Sequence, residues 1–86
     1  MESLADLMSL GPKSQQMLAA AGIETPAQLR ELGSVAAFAR VRAVCPDASL
    51  NLLWALESAL TGLPWQQVAR EHRTSLLLAL DSLAAP

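Results

Sequence analysis

The sequence predicts an all-α fold: one compact domain over 1–86, built of five or six short helices and opening on a helix-hairpin-helix-like pair. Three observations carry that prediction. Leucine (17) and alanine (16) supply 33 of the 86 residues, and both are strong helix formers. Four valines, one isoleucine and no tyrosine leave the β-forming set nearly empty. Prolines and glycines stand where short helices start and stop.

Each element follows in order. Leu4, Leu7 and Met8 have helical spacing in a lead-in over 1–9, which is expected to form a single turn folded back on the domain. The first helix runs from Gly11 or Pro12 to Ala21, with Pro12 in its first turn and Gly22 as its left-handed stop. Met17, Leu18 and Ala21 make its apolar stripe, and Ile23 packs just beyond its end. The second helix is short, Pro26 to Glu31. Thr25 caps it, Gln28 completes a Thr-x-x-Gln capping box and Gly33 ends it.

A third helix starts after Ser34, a second N-cap, and stops before Cys45-Pro46. Val35, Phe38 and Val41 recur on it at three-residue steps. The fourth helix, Ser49 to Thr61, is apolar nearly all round, which marks a central element with neighbours on most sides. Gly62 ends it. A brief turn over Pro64–Val68 follows, then a last helix from Glu71 or Thr74 to Leu83 with Leu76, Leu77, Leu80 and Leu83 inward. The tail beyond Leu83 is expected to fray. The expected core includes Leu10, Leu18, Ile23, Leu29, Phe38, Leu53, Leu56, Trp65, Leu76 and Leu80.

Charge and cysteine content bound the function. The net charge is −2, which argues against a surface built throughout to grip nucleic acid. The six cations, Lys13, Arg30, Arg40, Arg42, Arg70 and Arg73, form no run. Arg40 and Arg42 lie about 200° apart on a helical wheel, so they share no stripe. Cys45 is single, which suits a reducing cytoplasm. The N-terminus does not read as a signal peptide. No apolar run approaches the ~20 residues of a membrane span.

The segment Leu10-Gly11-Pro12-Lys13-Ser14 is the most suggestive local feature. It reads as a glycine turn feeding a helix, a geometry that aims backbone N–H groups at an anion such as a nucleic-acid phosphate. Gly11, Lys13 and Ser14 are therefore the candidate DNA- or phosphate-binding residues. Lys13 occupies a turn where the helix dipole disfavours a cation, and no Asp or Glu follows to offset it. An anion would offset it; the alternative is a lysine that simply keeps the turn hydrated.

These residues, taken with Leu18, Ala21-Gly22-Ile23, Leu29-Arg30, Gly33, Ser49-x-Asn51-Leu52-Leu53-x-Ala55-Leu56-Glu57 and Gly62-x-x-Trp65, resemble the C-terminal domain of the TfoX/Sxy family of bacterial competence regulators. The resemblance runs from about Leu4 to Leu83. The first half is also similar to a helix-hairpin-helix element, such as that in the C-terminal domain of the RNA polymerase α subunit. A DNA-binding hairpin usually has Gly-apolar-Gly in its turn, and here the turn is Ser9-Leu10-Gly11. The resemblance implies a role in activating competence genes, alongside other transcription factors.

The remaining polar residues have structural readings. Asn51 and Glu57 interrupt the most apolar helix. Arg40, Arg70 or Arg73 is the expected partner of Glu57, and a loop backbone that of Asn51. Trp54 and Trp65 read as core residues with one wet edge, the alternative being interface anchors. His72 and Cys45 stand apart in sequence, with no metal-ligand spacing and no nucleophile–base pair. The expectation is a non-enzymatic domain without cofactor or metal. Its predicted partner is a protein, either a transcription regulator or an RNA polymerase subunit. The alternative is weak, sequence-independent DNA binding through Leu10–Ser14. Homodimerisation through leftover leucine-rich surface is a third reading.

Overall fold

A computed structural model describes residues 10–84 of the chain. The turn expected over residues 1–9 and the last two residues of the tail lie outside them. Five helices follow in order: α1 (Pro12–Ala20), α2 (Pro26–Val44), α3 (Leu50–Thr61), α4 (Trp65–Glu71) and α5 (Arg73–Ala84). No strand occurs among the described residues.

The helix ends form for the reasons the sequence offers. α1 closes in a Schellman motif: the Ile23 N–H donates to the Leu18 carbonyl at 2.8 Å and the Gly22 N–H to that of Ala19 at 3.0 Å. Gly22 supplies the required positive φ of 83°. The double bond swings Ile23 back into the core, where it is fully buried beside Leu18. α2 opens on the expected capping box. The Gln28 N–H donates to Thr25 Oγ1 at 3.2 Å, and the Thr25 N–H donates to Gln28 Oε1 at 3.1 Å.

The two helices expected on either side of Gly33 both form; they abut at a kink there and are counted together as α2. Gly33 sits at φ 81°, ψ 164°, and helical bonding resumes directly beyond it. Ser34 does not cap the second part: Gly33 alone has non-helical backbone there, so Ser34 already stands inside the helix, and its hydroxyl donates to Glu57 Oε1 of α3 at 2.9 Å. The bend lets one chain segment serve two packing directions. Its first part buries Pro26 and Leu29, and its second buries Ala37, Phe38 and Val41.

α3 is the central element, as its composition predicts. Leu52, Leu53, Trp54, Leu56 and Ser58 are all buried. α2 and α4 pack on it, and α5 packs on α2 and α4. The buried cluster joins Leu10, Leu18, Ile23 and Leu29 to Phe38, Val41, Leu53, Leu56, Val68 and Leu76. Leu80, expected inside, is only half-buried against that cluster. Trp65 was also expected in the core, and 47% of its surface is exposed. α4 has seven residues, of which only Val68 is fully buried, with Ala69 packed partly buried beside the core, and Trp65 at its start stays outside. Trp54 takes the buried indole position instead, at 6% exposure.

Candidate interaction groove

Lys13 and Ser14 lie in the first turn of α1. Gly11 precedes them as N-cap with φ −79° and ψ 178°, ordinary extended backbone. A Cβ built there meets nothing within 4 Å. Gly11 is therefore not held by conformation or by close approach, and the tight turn expected there is an extended entry. The Gln15 side chain steadies that entry, donating from Nε2 to the Leu10 carbonyl at 3.0 Å. Gly11 provides no side-chain cap, and the first turn of α1 contains no acidic residue. The amides of Lys13 and Ser14 are left facing outward, since the first N–H groups of a helix have no partner within it.

These residues form one wall of a wider feature. A groove of about 830 Å³ runs from Lys13, Ser14 and Met17 of α1 across the loop between α2 and α3 to Trp65. Cys45, Pro46 and Asp47 line it from the loop, and Leu52 and Ala55 from α3. The Ala48 N–H donates to the Cys45 carbonyl at 3.0 Å and so holds the loop in a turn. Val44, 52% exposed, and Trp65 give the groove a rim of large apolar side chains. Lys13 and Asp47 bring opposite charges to the same depression. Asn51 lines the groove too. It is exposed, and among the described residues it does not make the loop hydrogen bond expected of it.

A second polar feature joins residues that are far apart in sequence. Glu57 of α3 accepts from Ser34 of α2 through Oε1, and its Oε2 lies 3.3 Å from Nδ1 of His72 at the corner between α4 and α5. The partner of Glu57 is thus a serine and a histidine, not Arg40, Arg70 or Arg73. Arg40 and Arg73 are exposed, and Arg70 pairs at 3.7 Å with its neighbour Glu71 on the surface. The reason is geometric: the corner at His72 points inward over α3 while the flanking arginines point out. The Ser34 proton goes to the carboxylate and the imidazole meets the opposite carboxylate oxygen. His72 is therefore not placed to take a proton from the hydroxyl, and the trio ties α2, α3 and the α4–α5 corner together. It has no local sequence signal, because Ser34, Glu57 and His72 lie on three different elements.

Cys45 is a half-buried free thiol. Among the described residues no three His, Cys, Asp or Glu side chains converge as metal ligands would. No helix among them is long and apolar enough to cross a membrane.

The fold and groove define a small all-α domain with an open groove rimmed by the apolar side chains of Val44 and Trp65. The chain belongs to the TfoX C-terminal domain family, whose model matches residues 1–80. Two crystal structures from Listeria monocytogenes are similar to it. One is of an uncharacterized protein in a triclinic form, 31% identical, with a TM-score of 0.82 over 96% of this chain and 94% of that one. The other, a protein of unknown function in a tetragonal form, is 32% identical, with a TM-score of 0.81 over 93% of this chain and 99% of that one. No curated protein matches.

Proposed function

We propose that this chain is a non-enzymatic, cytoplasmic regulatory domain that acts in transcription and competence control by binding another protein. The groove bounded by Lys13, Val44 and Trp65 is its contact surface. The observation that carries this reading is Trp65. An indole left 47% exposed at the rim of a groove forgoes burial that a partner restores, and tryptophan is the residue most enriched among interface anchors. Family membership supplies the context, and the partner class is a transcription regulator or an RNA polymerase subunit. Binding to purified RNA polymerase and to candidate regulators, measured with the wild type and with Trp65→Ala, tests it. A partner bound by the wild type and lost on Trp65→Ala supports the reading. Equal affinity of the two proteins removes the groove from it.

One observation favours a second reading, weak sequence-independent DNA binding. The outward amides of Lys13 and Ser14, with Lys13 beside them and no acid in the turn, present a small anion-attracting point. DNA affinity measured against salt decides it, because a phosphate contact contributes roughly one unit of log–log slope. Lys13→Glu then abolishes binding while the helical circular dichroism stays unchanged. No binding by the wild type at low salt ends this reading.

A further inference from the structure

We infer that α5 is a self-association surface, on which a second copy of this chain docks antiparallel about a two-fold axis passing close to Leu77. The inference is independent of the groove at Trp65: the two depressions share no lining residue.

α5 is leucine-rich but poorly covered. Leu76 is its one buried leucine, while Leu77 and Leu80 are half-buried and Leu78 is 63% exposed. These side chains, with Leu50 of α3, line a depression of about 620 Å³ between α5 and its neighbours. Arg42 stands at its edge, its guanidinium 5.1 Å from the centroid of the Phe38 ring. The pattern of charge identifies the occupant. Arg73 and Asp81 border the same depression, and neither has an ion-pair partner among the described residues.

Residues 73, 77 and 81 follow at four-residue steps, so they lie on one stripe of the helix. Arg73 and Asp81 are about 12 Å apart along the axis, with Leu77 midway. A surface with opposite charges equidistant from an apolar centre is complementary to itself under a two-fold rotation, the symmetry of most homodimers. Antiparallel pairing about Leu77 sets Arg73 of each copy beside Asp81 of the other. It brings the two Leu77 side chains together and closes Leu78 and Leu80 around them. Parallel pairing would set Arg73 against Arg73 and Asp81 against Asp81.

The contact is a single helix face, smaller than the roughly 800 Å² per partner of a standard stable interface. Association is therefore concentration-dependent. Sedimentation velocity of the full chain from about 5 μM to about 500 μM covers the range in which such dimers form. The wild type is expected to pass from monomer to dimer across that range. Leu78→Glu stays monomeric, with its helical circular dichroism intact because Leu78 lies outside the core. Arg73→Asp and Asp81→Arg, each pairing like charges twice, are each monomeric alone. Mixed in equal amounts they form a heterodimer, since every pair is then of opposite sign. Trp65→Ala dimerises as the wild type does.

A wild type that remains monomeric throughout overturns the inference, as does a Leu78→Glu protein that dimerises normally. A wild-type dimer lost on Leu78→Glu but not restored in the charge-variant mixture overturns the antiparallel two-fold.

Discussion

α3 and α5 are both twelve residues long and each carries five leucines. They have opposite fates. α3 buries Leu52, Leu53 and Leu56, and Trp54 with them. α5 buries Leu76 alone and leaves Leu78 and Leu83 more than half exposed. Helix propensity and leucine content therefore do not decide which helix becomes the core. α3 is central because α2, kinked at Gly33, and α4 both close on it, while α5 is covered along one side by α2 and α4. The polar residues repeat the contrast. Glu57 on α3 is tied to Ser34 and His72, and Asp81 on α5 faces solvent.

Truncation of the two helices should break the symmetry of their compositions most sharply. Leu56→Ala, at a fully buried position, is expected to cost about 2–5 kcal/mol, a large share of the stability of a small domain. Leu78→Ala is expected to change it by less than about 0.5 kcal/mol at concentrations where the chain is monomeric. Urea denaturation of both variants checks the pair, and equal losses would dissolve the distinction between the helices.

A smaller effect is expected at the polar tie that only α3 possesses. Glu57→Ala removes the acceptor of the Ser34 hydroxyl, which is buried. The loss is about 1–3 kcal/mol, the range for stranding a buried donor. Ser34→Ala combined with Glu57→Ala should cost less than the sum of the two single changes, and strict additivity would mean that the bond contributes nothing.

Next comes the kink that brings α2 over α3. Gly33→Ala places a side chain at φ 81°, where a Cβ meets no neighbour within 4 Å. The cost is then the backbone conformation alone, about 1–3 kcal/mol for a side chain in this extended positive-φ region, and melting curves should fall by about 4–8 °C per kcal/mol. The smallest effect is at the entrance to α1. Gly11→Ser, in extended backbone with open space, should raise stability by roughly 0.3 kcal/mol through a new N-cap. A loss on that substitution would mean that Gly11 is needed for a close approach after all.

The helices were legible in the sequence because their signals are local. Thr25 and Gln28 form a capping box wherever the next turn is helical, and Gly22 and Gly62 stop helices by accepting positive φ. Most of the core was legible from spacing: Leu18, Leu29, Phe38, Leu53, Leu56 and Leu76 are all buried as expected. Trp65 was not, since burial of a residue at a helix start depends on whether another element lies above it. The partner of Glu57 was not legible either. Three residues from three elements meet there, and the sequence offered arginines whose side chains turn away. Of the candidate anion site, the position of Lys13 in the first turn of α1 was readable, whereas the extended backbone of Gly11 and the groove beside it were not.

Sequence alone determined that the chain is helical, where each helix begins and ends to within a few residues, and which family it belongs to. All of these are set by contacts a few residues apart or by the order of residues itself. Tertiary structure decided which of two leucine-rich helices is enclosed, which tryptophan is exposed, and that Ser34, Glu57 and His72 meet. Those outcomes depend on how a finite apolar surface is shared among five helices. Five helices among the described residues do not cover every apolar face, and the packing alone selects the faces left exposed.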